Sequence, residues 1–276
     1  MSYSNYGSYR PSGYNVNGGS PSASAEYFKY DDAGNVWYDR RAKSVYKLNA
    51  AGLPEIAYIL DDEQGELTLD EVNSGSVTGI VETMRMAYDE TGERIWTGFK
   101  GAGVDYELAE MPGVGTYGWT HAGSGTSGFT LKRMDLVAGG YRDVESGTAF
   151  FPVTDAQGNV RGYASTAGLQ SAYDYYAYGT AVEIARGTAD DNKRWQGKEY
   201  DEPIRKLYFG SRYFDPFFGM WMSPDPAAQF ANPYTYGGDP LNYVDPNGEW
   251  VHIVVGAVIG AVVGTVNGAI QCTAPG

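Results

Sequence analysis

The sequence predicts an all-β protein built as an array of short hairpins, and three observations carry that reading. Glycine supplies 38 of the 276 residues, nearly twice the ordinary share of about 7%. Tyrosine supplies another 24. Tyrosine favours strands, and glycine favours tight turns that need positive φ. The third observation is a recurring spacing in which an acid or amide is followed three residues later by glycine. It occurs at Asp31 and Gly34, Asn49 and Gly52, Asp62 and Gly65, Asp89 and Gly92, and Asp155 and Gly158, with Ser165 and Gly168 a weaker case.

Each pair has a physical reason to be a hairpin turn. Asp or Asn at the first turn position accepts backbone N–H groups, and glycine takes the left-handed position that ends the turn. A short loop with glycine there is a common link between antiparallel strands. Apolar residues flank the turns at roughly period two, as with Val36 and Tyr38, then Val45, Tyr46 and Leu48. Residues 97–128 are rich in glycine, and no strands can be placed there by pattern. Residues 1–25 form a Ser/Gly/Tyr/Asn-rich tract expected to lack fixed structure. Its start has no charged-then-apolar pattern of a secretory signal.

Charge and composition narrow the chemistry. Net charge is −14, with no basic run longer than Arg40-Arg41, so nucleic acid is not an expected partner. The single cysteine, Cys272, allows no intrachain disulfide and no cysteine-based zinc site. No metal or cofactor is expected. A Ser-His-Asp triad would have to use His121 or His252, and His121 lies in a Gly/Ser-rich stretch that reads as a solvated loop. Carboxylates are the reagents that remain.

Residues 211–250 contain four Asp-Pro pairs, at Asp215, Asp225, Asp239 and Asp245. Turns explain such pairs, since proline sets φ and aspartate caps the turn. Asp215 and Asp239 are read in that way, and Asp225 and Asp245 fit it as well. A carboxylate site is the second reading of such a cluster. Two carboxylates within about 3 Å cannot both ionise, so one keeps a proton while the other activates water. A neighbouring cation could hold or orient one of them. A bond in the same chain is tethered to the site, which removes the entropy cost of capturing a substrate.

The C-terminal stretch is apolar. Gly256, Gly260, Gly264 and Gly268 recur every four residues, which on a helix forms one smooth stripe for close helix approach. Val251 to Ile270 carry no formal charge if His252 is neutral, a length that just reaches a membrane span. Membrane contact or helix pairing is one expectation for this stretch. Packing against the β-structure is the other.

The hairpin units resemble YD repeats, the building blocks of the Rhs family, which is related to polymorphic toxins and to the C components of Tc toxins. "FFPVTDAQGNVRGYASTAGLQSAYDYYAYG" resembles the family's final repeats, and "WQGKEYDEPIRKLYFGSRYFDPFFGMWMSPDP…NPYTYGGDPLNYVDPNGEW" resembles the Rhs repeat-associated core domain. The resemblance is strongest over residues 195–250. Together with the composition of the two ends, it divides the chain into four parts: a tract at 1–25, YD-type hairpins at 26–194, a core domain at 195–250, and an apolar glycine-zipper tail at 251–276. It implies a hollow β-shell, or part of one, closed by the core domain. It also implies an aspartyl autoprotease that cuts its own chain just after a D-P-x-G motif. Carried onto this sequence, the family's arginine falls on Arg212 and its two acids on Asp225 and Asp245. The cut falls near Gly248, Glu249 and Trp250, with Glu249-Trp250 the expected bond. Implied partners are proteins: the rest of a shell, a toxin or an immunity protein. The resemblance further implies export or membrane association. The alternatives are a non-catalytic surface or interaction module, and an inactive recombination remnant.

Overall fold

The turns can be examined one by one in a computed structural model of the protein. It describes residues 27–249 apart from 62–66, 102–103, 112–114, 123–124, 127–129, 137–139, 188 and 190–191, together with the short strands Ser2–Tyr3, Tyr14–Asn15 and His252–Ile253.

Asp31, Asn49, Asp89 and Asp155 build the same turn. In each, the glycine N–H donates to the carbonyl of the first residue, at 3.1, 3.0, 3.1 and 3.0 Å. The first residue's side chain accepts the N–H four positions on, at 2.7, 3.0, 2.9 and 3.0 Å. The glycines sit at φ of 94°, 77°, 87° and 79°, where a Cβ would be strained. Beside every one of these turns the strand register slips, between Lys29 and Tyr30, Lys47 and Leu48, Ala87 and Tyr88, and Val153 and Thr154. That is the bulge a left-handed glycine produces at a hairpin end. Ser165 and Gly168 pair directly across a two-residue connection. The expected turn at Asp62 and Gly65 lies outside the described residues.

These hairpins join into one 15-stranded antiparallel sheet. It runs from Phe28–Tyr30 at one edge to Ala181–Ala185 at the other, and the strands pair in chain order. Only Gly125–Thr126 lies off that path, pairing back on Gly115–Ala122. The stretch whose strands could not be placed from the sequence holds Val104–Met111 and Gly115–Ala122. The chain is therefore nearly all β, as expected.

One feature departs from the expected hairpin array. Residues Leu69–Ser74 form a helix, with Thr68 and Glu71 in a capping box and Gly75 left-handed at its end. The spacing Thr-x-x-Glu is the signal that marks such a start. The helix buries Val72 against Trp37, Tyr38, Val45, Leu60 and Val77.

Two faces of the early strands are thus covered. One meets that helix. The other, carrying Val36, Tyr46, Ala57 and Met84, packs against Ile204, Tyr213, Met220 and Tyr234. This explains why Val36, Trp37 and Tyr38 are all buried in succession and the period-two pattern is blurred there. The later strands bury one side only, around Tyr141, Phe150, Val160 and Tyr163.

Residues 195–249 form a second unit on this sheet. Strands Glu199–Asp201, Lys206–Tyr208, Tyr213–Asp215 and Met220–Trp221 make a four-stranded antiparallel sheet. Trp195, Phe209, Phe214, Trp221 and Tyr236 pack behind it, with Trp195 stacked on Phe214 at 5.6 Å between ring centres. Two buried ion clusters seal the seam with the long sheet. Lys206 meets Asp39 at 2.5 Å and Asp215 at 2.8 Å. Arg94 meets Asp201 and Glu199, each at 2.5 Å, and donates to the Tyr213 hydroxyl at 2.8 Å.

His252–Ile253 continues as a strand paired with Tyr243–Val244. The glycine-zipper helix expected beyond it lies outside the described residues. Among the described residues no helix is long and apolar enough to cross a membrane. The N-terminal tract also falls largely outside them, apart from Ser2–Tyr3, which pairs with Tyr14–Asn15.

Candidate functional site

Arg212, Asp225 and Asp245 come from three separate loops of the second unit and meet beneath its surface. Arg212 immediately precedes the strand Tyr213–Asp215, after the left-handed Gly210. Its guanidinium lies 4.0 Å from the Trp221 ring centre, a cation–π contact that fixes its plane. One terminal nitrogen stands 3.6 Å from Asp225 and the other 3.6 Å from Asp245. All three residues are buried. The cation therefore bridges the acids. Each carboxylate thus has the guanidinium as its charged neighbour.

Each acid is also a turn residue. Asp225 accepts the N–H groups of Ala227 at 3.1 Å and Gln229 at 2.8 Å. Asp245 accepts those of Asn247 at 3.3 Å and Gly248 at 2.7 Å. The turn reading and the carboxylate-site reading thus describe the same side chains. Burial raises the Asp245 carboxyl above its usual value, and the Gly248 N–H and Arg212 oppose that rise. Burial lowers the Arg212 guanidinium, against the pull of Asp225 and Asp245. One Asp245 oxygen and one Arg212 nitrogen, though buried, have no hydrogen bond.

The chain just beyond Asp245 is held against this cluster. Arg212 Nε donates to the Gly248 carbonyl. Gly248 has φ of 78°, and a Cβ there would lie 3.1 Å from both the Arg212 backbone nitrogen and Phe209. Only glycine fits that approach without strain. The next carbonyl, that of Glu249, accepts from Gln229 Nε2 at 2.8 Å. The Glu249 carboxylate accepts from Ser211 at 3.1 Å and Asn247 at 3.0 Å.

Two glutamines escaped the sequence reading. Gln229 is one. The other is Gln196, a non-glycine residue at φ 52°. Its side-chain oxygen accepts from Tyr236 at 2.7 Å and from the Asp245 N–H at 3.2 Å, while its own N–H donates to Asn159 at 2.8 Å. It ties the Asp245 loop to the long sheet. Nothing in a glutamine's sequence neighbourhood announces such a role. The remaining Asp-Pro acids divide. Asp239 is a half-buried turn residue accepting from Leu241 and Asn242, whereas Asp215 caps a turn and also faces Lys206. His121 lies on the strand Gly115–Ala122 and His252 on His252–Ile253. No cluster of His, Cys, Asp and Glu suited to a metal occurs among the described residues.

No family model matches the chain. It is 35% identical over 123 residues to the tRNA3(Ser)-specific nuclease WapA of Bacillus spizizenii, a match covering 41% of this chain and 5% of that protein. It is 40% identical over 82 residues to the toxin subunit YenC2 of Yersinia entomophaga, covering 27% of this chain and 8% of that one. The fold is shared with TccC3-containing structures. One is a complex of TcdB2 with TccC3, at a TM-score of 0.62 and 18% identity, over 79% of this chain and 11% of that one. Another is the Photorhabdus luminescens Tc holotoxin pore, at a TM-score of 0.64 and 18% identity, over 83% and 11%. The chain is thus related in sequence to toxin proteins and has the fold of a segment of TccC3-containing assemblies. It spans about one twentieth of the first curated relative's length.

Proposed function

We propose that the chain is a β-shell and core segment of an Rhs-type polymorphic toxin system that cuts itself once, after its Asp-Pro-Asn-Gly motif. In this reading residues 26–194 are YD-type hairpins of the shell wall, 195–250 are the core domain, and 251–276 begin the released part. Its partners are the remainder of the shell and the toxin or immunity protein that goes with it. The sequence similarity to WapA and YenC2 and the fold shared with TccC3 assemblies support the toxin assignment. The observation that carries self-cleavage is the buried Asp225–Arg212–Asp245 cluster, with the Gly248 carbonyl bonded to the same arginine.

The roles follow from the environments. Asp245, raised by burial, holds the proton to be given to the leaving nitrogen. Asp225, whose oxygens accept the Ala227 and Gln229 N–H groups, is the base that takes a proton from water. Arg212 balances whichever acid is charged.

The test is the intact mass of the purified chain beside Asp225→Asn and Asp245→Asn. The wild type is expected to lose a C-terminal piece of about 27 residues while both variants stay whole, the loss of either acid slowing the reaction about a thousandfold. A folded wild type that stays whole would remove the autoprotease reading and leave a scaffold.

A further inference from the structure

We infer that the Gln229 carboxamide is the electrophilic donor of the self-cleavage reaction and that it selects the Glu249–Trp250 peptide bond. This rests on the self-cleavage reading and adds to it one catalytic residue, which gives the expected bond a physical cause.

Gln229 touches both halves of the chemistry. Its backbone N–H donates to Asp225 Oδ2 at 2.8 Å, and its side-chain Nε2 donates to the Glu249 carbonyl at 2.8 Å. One residue therefore fixes the distance between an acid and a carbonyl. The chain reaches it through Ala228, a non-glycine residue at φ 50°. Such a conformation costs roughly 1–3 kcal/mol and persists where the surroundings hold it.

Glu249 is pinned on its other sides as well. Its carboxylate accepts from Ser211 Oγ at 3.1 Å and Asn247 Nδ2 at 3.0 Å, and its N–H donates to Asn247 Oδ1 at 3.2 Å. These contacts fix the direction of its carbonyl. They also separate the two candidate bonds. Cutting after Gly248 would make the Glu249 nitrogen the leaving group, and that N–H is committed to Asn247. The Gly248 peptide is in addition held at both ends, its N–H by Asp245 and its carbonyl by Arg212. It serves to place the arginine and the acid. The Glu249 carbonyl carries a neutral donor, whose bond strengthens as negative charge builds on the oxygen.

The step consumes one water. Its oxygen bonds to the Glu249 carbonyl carbon, and its proton passes to Asp225. The carbonyl electrons move onto the oxygen that Gln229 faces. They return as the bond to the Trp250 nitrogen breaks, and that nitrogen leaves with the proton from Asp245. A carboxyl and an amine form, with no oxidation or reduction.

The experiment follows full-length protein over time by intact mass, for the wild type, Gln229→Met and Gln229→Asn. Methionine keeps the length and removes the donor, and asparagine withdraws the amide by one methylene. The backbone bond to Asp225 survives in both. The expected result is a wild-type product ending at Glu249 and a slowing of about a hundredfold in each variant, with melting transitions like that of the wild type. A wild-type product ending at Gly248, or variants that cut at the wild-type rate, would overturn the role of Gln229 and leave self-cleavage standing. A folded wild type that never cuts overturns both. If Gln229→Met fails to fold, the wild-type cut position and the Gln229→Asn rate decide.

Discussion

The Asp39–Lys206–Asp215 cluster and the Asp225–Arg212–Asp245 cluster are made of the same parts, one cation between two buried carboxylates. They differ in how tightly the parts close. Lys206 sits 2.5 and 2.8 Å from its acids, whereas Arg212 sits 3.6 Å from each of its own. At the tighter site Asp215 Oδ2 meets the ammonium as an ion pair without hydrogen-bond alignment. At the looser site both the cation and an acid keep a buried group without a hydrogen bond, and two backbone carbonyls lie alongside. A closed buried pair joins structural elements, and here it joins the strand Val36–Asp39 to Lys206–Tyr208. An open one keeps capacity for water and for charge that develops during a reaction. On the self-cleavage reading proposed above, closure distance separates a fastener from a site.

The largest effect expected from breaking this contrast is at Lys206. In Lys206→Met, Asp39 and Asp215 are left buried without their cation, which costs about 3–5 kcal/mol of folding stability. Denaturant unfolding measures it, and an unchanged midpoint would show that this cluster does not hold the seam.

A medium effect sharpens the looser cluster through pH. Because the folded Asp245 carboxyl is raised above its usual value, the folded chain binds that proton more tightly than the unfolded chain. This contribution to stability is present at low pH and is lost as pH rises from the ordinary aspartate value through the raised one. The proton-donating form disappears over the same window. Self-cleavage is therefore expected to fall about tenfold per pH unit above the raised value. A release rate that keeps climbing through neutral pH would assign the proton to another group.

The smallest effect belongs to the Asp239 turn. Asp239→Ala removes bonds to Leu241 and Asn242 only. It should leave the cleavage rate unchanged and shift the melting temperature by no more than about 2 °C. A slowing of cleavage would mean that the Asp239 loop helps to place Asp245.

The turns were legible in advance because their information is local. Asp31, Asn49, Asp89 and Asp155 each carry acceptor and glycine within four residues, and each makes the turn it spells. The helix Leu69–Ser74 was spelled as well, by Thr68 and Glu71, but glycine-based turn patterns concealed it. The strands within residues 97–128 were hidden because glycine there removes the side-chain alternation that marks a strand. At the site, Arg212, Asp225 and Asp245 were named through their motifs. Their order in space was not, since the bridging position of Arg212 depends on packing against Trp221.

The sequence by itself determined an all-β chain of glycine-ended hairpins and a net acidic charge, and its motifs supplied the three residues proposed for the site. Tertiary structure alone decided which acid–cation group closes and which stays open. It alone brought Gln196 to the Asp245 N–H and Gln229 to the Glu249 carbonyl. Hairpin turns depend on bonds between neighbours in the chain. The glutamine contacts join residues 20 and 49 apart in sequence, and Lys206 meets Asp39 from 167 residues away, meetings set by the packing of one sheet on another.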